Sequence, residues 1–130
     1  MSLNLILDID EVVSQDKSKY LLFTAEEDNS TIGLSRLSTN QTLEYSFDGS
    51  DWINMDISTT ITLSNIGDLV CMRGVLSGDN TSSDYTQFKM TGKIAAIGNC
   101  NALWSKDDLN APLKVYCGYY MFLGCTSLTQ

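Results

Sequence analysis

Hydrophobic and polar residues alternate along much of this chain, in short bursts separated by polar breaks. In the first burst Leu3, Leu5, Leu7 and Ile9 fall on one side, with Asn4, Ile6 and Asp8 on the other. A period of two predicts a strand with one mostly buried face. The polar stretch SQDKSK follows. YLLFTA (20–25) is the next predicted strand, EEDNS a turn, and TIGLSRL (31–37) a strand with Ile32, Leu34 and, by parity, Arg36 on one face. LEYSF and DWINM flank an Asp-Gly pair within 43–55. That arrangement predicts a hairpin, because glycine supplies the positive φ of the turn. TTITL (59–63) alternates again, NIGD turns the chain, and LVCMRGV (69–75) is apolar enough to be a central strand.

LSGDNTSSD (76–84) is the most loop-like stretch, with no predicted core position after Leu76. YTQFKMTGKIAAIGN (85–99) predicts two short strands, or one broken at Gly92. Residues 20–91 therefore hold six or seven strands spaced by about ten residues, the pattern of a small antiparallel β-sandwich. The single proline, Pro112, lies outside them. Beyond about residue 99 the texture changes. Leu113, Cys117 and Met121 fall at i, i+4 and i+8 with Phe122 beside them, predicting a helix over 113–122. Gly124 stands where a C-terminal cap belongs.

Composition narrows the function. A chain of 130 residues, 43% apolar and 18% charged, is globular and long enough for one domain with an appendage. No apolar run approaches the roughly 20 residues of a membrane helix, so no membrane insertion is expected. Sixteen acidic residues against eight basic ones give a net charge of −8. The cations (Lys17, Lys19, Arg36, Arg73, Lys89, Lys93, Lys106, Lys114) are scattered, which argues against nucleic acid as a partner. With no histidine, Ser-His and Cys-His nucleophile pairs and His-containing zinc sites are excluded. The start MSLNLILDIDEVV has no basic region and no uninterrupted apolar core, so it does not read as a secretory signal. The expectation is a protein that works where it is made or leaves as part of a particle, unless a leader has been removed. The Asn-x-Ser/Thr triplets at Asn29, Asn40 and Asn80 then carry no meaning.

Few residues suggest catalysis or metal binding. Asp8 and Asp10 in LILDIDEVV resemble the first motif of haloacid-dehalogenase-type phosphatases, where the two carboxylates would serve as nucleophile and general acid and hold Mg²⁺. Hairpins follow here instead of alternating strands and helices, and the expectation is an edge or docking strand ending in a solvated acidic turn. Asp107 and Asp108 read as a loop or helix start. Asp79, Asn80 and Asp84 offer oxygen ligands but lack the spacing of a calcium loop. Cys71, Cys100, Cys117 and Cys125 contain no Cys-x-x-Cys. On a helix Cys117 and Cys125 would stand up to about 12 Å apart, too far for a disulfide. All four are read as packing thiols, with a Cys71–Cys100 bridge left open. Trp52, Tyr45, Tyr119 and Tyr120 are candidates for a sugar-binding platform. No cofactor, catalytic residue or metal site is expected.

The closing segment CGYYMFLGCTSLTQ is similar to the start of a BspA-like leucine-rich repeat array, through Cys117, Met121, Phe122, Gly124, Cys125, Thr126, Ser127, Leu128 and Thr129. Gly118 departs from the aromatic usual after the first cysteine. YLLFTAEEDNSTIGL, LEYSFDGSDW, TTITLSNIGD and FKMTGKIAAIGN are similar to the β-domain placed ahead of such repeats in surface proteins of gut Bacteroides-type bacteria and their phages, and GNCNALWSKDDL resembles the transition into the first repeat. The resemblance implies a repeat core of Cys117, Met121, Phe122, Cys125 and Leu128. It also implies a division into an N-terminal docking strand or arm (1–19), a β-sandwich (20–98), and a transition with a first, incomplete repeat (99–130). A repeat of this type cannot bury its apolar face alone. The array is therefore expected to continue past Gln130, the alternative being a half-repeat that caps the β-domain.

The expected function is non-enzymatic: a structural protein of a bacteriophage virion, in a head or tail fibre. It would dock through Leu3, Leu5, Leu7 and Ile9 onto other virion proteins and project repeats toward a host-surface glycan or protein. Fibre symmetry suggests a homo-oligomer, a trimer by analogy. The alternative is a bacterial cell-surface adhesin of the same family, and a third reading is a carboxylate-metal hydrolase using Asp8 and Asp10.

Overall fold

The computed structural model describes residues 19–110 together with Met121, Phe122, Cys125 and Leu128. The candidate docking residues Leu3, Leu5, Leu7 and Ile9, the Asp8/Asp10 pair, Cys117, Tyr119, Tyr120 and all but the last two residues of the helix predicted over 113–122 lie outside the described residues. The described chain is mainly β, with two antiparallel sheets and almost no helix. Its strands are β1 (Leu21–Ala25), β2 (Ser30–Arg36), β3 (Gln41–Ser46), β4 (Ile53–Met55), β5 (Thr60–Leu63), β6 (Leu69–Leu76), β7 (Gln87–Thr91) and β8 (Ile94–Gly98). A 3₁₀ turn, Cys100–Leu103, follows. The larger sheet runs β4-β3-β6-β1-β8 and the smaller β5-β2-β7.

Local chemistry sets the turns. Between β3 and β4 the Asp48 carboxylate accepts the backbone N–H groups of Ser50 and Asp51 at 2.8 and 2.9 Å, while Gly49 takes φ 79°. The predicted Asp-Gly hairpin is there, but its loop spans 47–52 because pairing begins at Tyr45↔Ile53. At the β7–β8 turn Gly92 has φ 79° and presses on Ser30, whose hydroxyl bonds the Lys93 carbonyl and accepts the Lys93 N–H. A side chain at Gly92 would collide with Ser30, so the break predicted there is enforced twice.

One apolar core draws on both sheets. Leu21, Phe23, Met72 and Ile94 enter from the larger sheet; Ile32, Leu34, Ile61, Leu63 and Phe88 enter from the smaller. The inward positions follow the period of two in β2 and β5, although Arg36, predicted by parity to share the inner face, is exposed at the strand end. There its guanidinium lies over the Tyr85 ring and donates to the Ser83 carbonyl.

The runs YLLF and LVCM do not alternate, and the structure shows why: β1 and β6 are covered on both faces. On the outer face Tyr20, Leu22 and Cys71 pack with Ala102, flanked by Trp52, Leu69 and Leu109. The chain after β8 therefore lies back over the sheet. It also joins it. β1 pairs with β6 only from Leu69 to Met72. Beyond that, Leu76 N–H donates to the Trp104 carbonyl at 2.9 Å, Lys106 N–H donates to the Gly74 carbonyl at 3.0 Å, and Val75 bridges Ser105. The buried Gln41 amide holds the same segment through the Leu103 carbonyl at 2.5 Å.

One loop expectation needs correction. Asn80 was expected to be solvated with the rest of 77–84, yet it is buried, and its Oδ1 accepts the Ser38 hydroxyl at 2.7 Å. A polar residue can sit inside when its hydrogen bonds are made there.

Candidate functional site

β7 is an edge of the smaller sheet and β8 an edge of the larger one. Joined by the tight turn at Gly92, they bring both edges to one side of the body. The described residues of the closing segment are built onto that side. Phe88 N–H, on the edge of β7, donates to the Met121 carbonyl at 2.7 Å. The Cys125 thiol donates to the Phe88 carbonyl at 3.2 Å. Phe122 stacks on Phe88, with ring centroids 5.3 Å apart and planes 9° apart. Leu128 reaches β8 and forms a parallel bridge with Ile94. Met121 is 1% exposed and belongs to the shared core, with Phe122, Cys125 and Leu128 packed against it. Four of the five residues expected to form the repeat core are thus placed together, and Cys117 lies outside the described residues. Met121 and Phe122, which the helix predicted over 113–122 would include, sit in a turn instead.

The aromatic candidates separate. Trp52 is partly buried and occupied: the Arg73 guanidinium lies 3.9 Å from its ring centroid, and Tyr20 meets it edge-on at 5.2 Å. Cation–π stacking of this kind holds an arginine in place. Tyr45 packs against the core and meets Phe47 edge-on at 5.8 Å. Phe47, 54% exposed, and Ile53, the partner of Tyr45 across the hairpin, are the open apolar surface there. The sequence reading missed Phe47; its place beside the Asp-Gly turn was the available signal.

Beside Trp52, Glu44 Oε1 accepts both Arg73 Nε at 2.9 Å and Lys106 Nζ at 3.0 Å. Burial works to raise the Glu44 carboxyl, but the hydrogen bonds from Lys106 and Arg73, with their charges, outweigh it and hold the group below its ordinary range. A lowered folded-state value means the stabilisation is complete above the unfolded value and is lost as pH falls through the folded one. Glu44→Gln is accordingly expected to cost about 1 kcal/mol at neutral pH. That difference should shrink as the pH drops below 4.5, the ordinary glutamate value, in urea melts of both proteins.

Other carboxylates stitch loops and turns together. Asp84 accepts the Thr39 hydroxyl at 2.5 Å and the Thr39 N–H at 3.0 Å, and Asp56 accepts the Ser58 hydroxyl and N–H. Asp108 accepts the Asn110 N–H at 3.1 Å, so the loop reading of Asp107-Asp108 fits its geometry. Among the described residues no group of three His, Cys, Asp or Glu side chains could hold a metal ion.

Cysteine needs a second correction. Cys71 is buried, but Cys100, read as a packing thiol, is exposed, and no disulfide joins them. The 3₁₀ turn buries Ala102 and Leu103 and leaves its first residue outside. Burial pushes the half-buried Cys125 thiol up, against a hydrogen bond from the Met90 backbone. Because the thiolate is the reactive form, a maleimide is expected to label Cys100 first, Cys125 slowly and Cys71 only on unfolding, as peptide mass mapping would show. Comparison of the chain with protein-family models, with curated proteins and with solved structures found no match.

Proposed function

We propose that this chain is a structural presenting module: a β-sandwich that anchors the start of a BspA-like leucine-rich repeat array and works as a non-enzymatic component of a phage virion. Residues 1–19 dock it to neighbouring virion proteins, and the repeats project from a head or tail fibre toward a host-surface glycan or protein. A homo-oligomer, a trimer by analogy, is part of this reading. The observation that carries it is the placement of Met121, Phe122, Cys125 and Leu128 across the β7 and β8 edges. Motif residues that pack on a β-body, with the body's own core continued through Met121, suit a scaffold that holds repeats. Asp48 and Asp56, engaged in turns, Asp84, which ties two loops together, and Glu44, held in an ion-pair network, fit the same reading.

Deleting residues 1–19 tests the docking role. The truncated protein is expected to fold and to be missing from purified particles; normal incorporation would remove that role. The alternative, a bacterial cell-surface adhesin, shares the repeats and differs in location. Antibody labelling that decorates intact cells and leaves particles bare would select it.

A further inference from the structure

Met121, Phe122, Cys125 and Leu128 occupy the side of the body where β7 and β8 are edges. On the opposite side the edges are β4 and β5, joined by a turn in which Thr59 N–H donates to the Asp56 carbonyl. An edge strand invites another strand unless something guards it. β4 is cut to three residues. β7 carries Lys89 and has Phe88 tied to Met121 and Cys125, and β8 is bridged by Leu128. β5, Thr60-Ile61-Thr62-Leu63, holds no charge and no proline and is covered by no other strand among the described residues.

The register settles which groups of β5 point outward. On β7 the Phe88 N–H and carbonyl face Met121 and Cys125, away from β2. Phe88 pairs with Leu34, and Lys89 with Gly33. Along an antiparallel ladder, residues that exchange hydrogen bonds alternate with residues that do not. Gly33 therefore faces β7, and Ile32 faces β5, where it pairs with Ile61. Ile61 and Leu63 turn their backbone groups to β2; Thr60 and Thr62 turn theirs to the open edge. The side chains of Ile61 and Leu63 lie in the core, and those of Thr60 and Thr62 are exposed.

Charge and symmetry both point to a second copy as the occupant. A net charge of −8 sets copies of this chain to repel, yet residues 57–67 contain no charged residue. Two such edges can therefore approach without opposing like charges. The edge is also its own complement. In an antiparallel pair centred on Ile61, Thr60 of each copy exchanges hydrogen bonds with Thr62 of the other. Ile57 and Ile66 flank the strand at 60% and 66% exposure, the two most exposed large apolar residues among those described. The same pairing brings Ile57 of one copy alongside Ile66 of the other, at both ends of the contact.

We infer that β5 is a homodimer interface, at which two copies of this chain pair β5 to β5 about a two-fold axis at Ile61 and join their smaller sheets into one. The contact is isologous, each copy giving the same surface. The β7 and β8 edges then lie on the far sides of the dimer, where repeats can project outward. The inference deepens the homo-oligomer part of the proposed function and rests on that reading for its biological meaning. It supplies a two-fold symmetry in place of the three-fold one taken by analogy, so a trimer would sink the inference and leave that reading standing.

Sedimentation equilibrium of the full 130-residue chain and residue-by-residue amide exchange test it. Sedimentation should show a monomer–dimer equilibrium with a midpoint below about 1 mM. Protection of the Thr62 amide should rise with protein concentration, while that of Ile61 stays constant. Proline is tolerated on an edge strand where the N–H faces outward, so Thr62→Pro should keep the fold and weaken the dimer about tenfold or more. Ile57→Asp, at an exposed turn position, should weaken it without touching the strand, and it decides the matter if proline disturbs β5. A monomer at every concentration, a trimer, a dimer that Ile57→Asp leaves intact, or Thr62 protection independent of concentration overturns the proposal.

Discussion

Phe88→Ala is expected to lower the free energy of unfolding by about 4 kcal/mol, the middle of the usual range for a buried phenylalanine. The ring is buried, meets Phe23 edge-on at 5.9 Å and stacks on Phe122. Its removal leaves a void where the two sheets and the closing segment meet. The effect should therefore be double. Urea unfolding would report the lost stability. Limited proteolysis of the folded variant should cut faster near Phe122, because that ring loses the surface it stacks on. A variant that loses stability without faster cleavage would show the closing segment to be held by the Met121 and Leu128 contacts alone.

Gly74→Ala is the second large effect, expected at about 3 kcal/mol, as overpacking against backbone allows little relief. A Cβ at this position would run into the Thr42 carbonyl oxygen and come within 2.7 Å of the Leu103 carbonyl oxygen and 2.8 Å of Leu43 Cδ2. Two of these three neighbours are main chain, so no side-chain rotation clears the space. The strand and the segment after the 3₁₀ turn approach each other here only because residue 74 has no side chain. Circular dichroism melts would read the loss. Gly67→Ala, in open space but at φ 92°, supplies a contrast in which only backbone strain acts.

Much of the strand content was legible in the sequence because each strand with one buried face writes its own period. TTITL and TIGLSRL declared themselves through Ile61, Leu63, Ile32 and Leu34 alone. The central place of LVCMRGV followed from its continuous apolar run, which also held the information that something covers its second face. What covers it could not be read. Ala102 and Leu109 are sparse apolar residues in a polar stretch, and only the folded chain brings them against Leu22 and Cys71. Sheet order was hidden for the same reason: β1 lies between β6 and β8, and β2 between β5 and β7, through contacts between residues far apart in the chain.

The candidate site divides along the same line. Met121, Phe122, Cys125 and Leu128 were visible as a motif, since their spacing is local. That they would meet Phe88 and Ile94 was not, because nothing within a motif names its neighbour. The Glu44–Arg73–Lys106 cluster was invisible as well. Glu44 and Arg73 become neighbours through the β3–β6 register, and Lys106 arrives from a segment that resembles an ordinary loop.

Residues 104–106 complete the β6 ladder where β1 leaves it, and this bears on where the chain can be cut. A fragment stopped after β8 would keep every strand and still lack the groups that satisfy Gly74 and Leu76. It would also bare Leu22 and Cys71 to water. Such a piece would be sticky where the intact protein is sealed, so the smallest autonomous version of this body runs at least through Leu109.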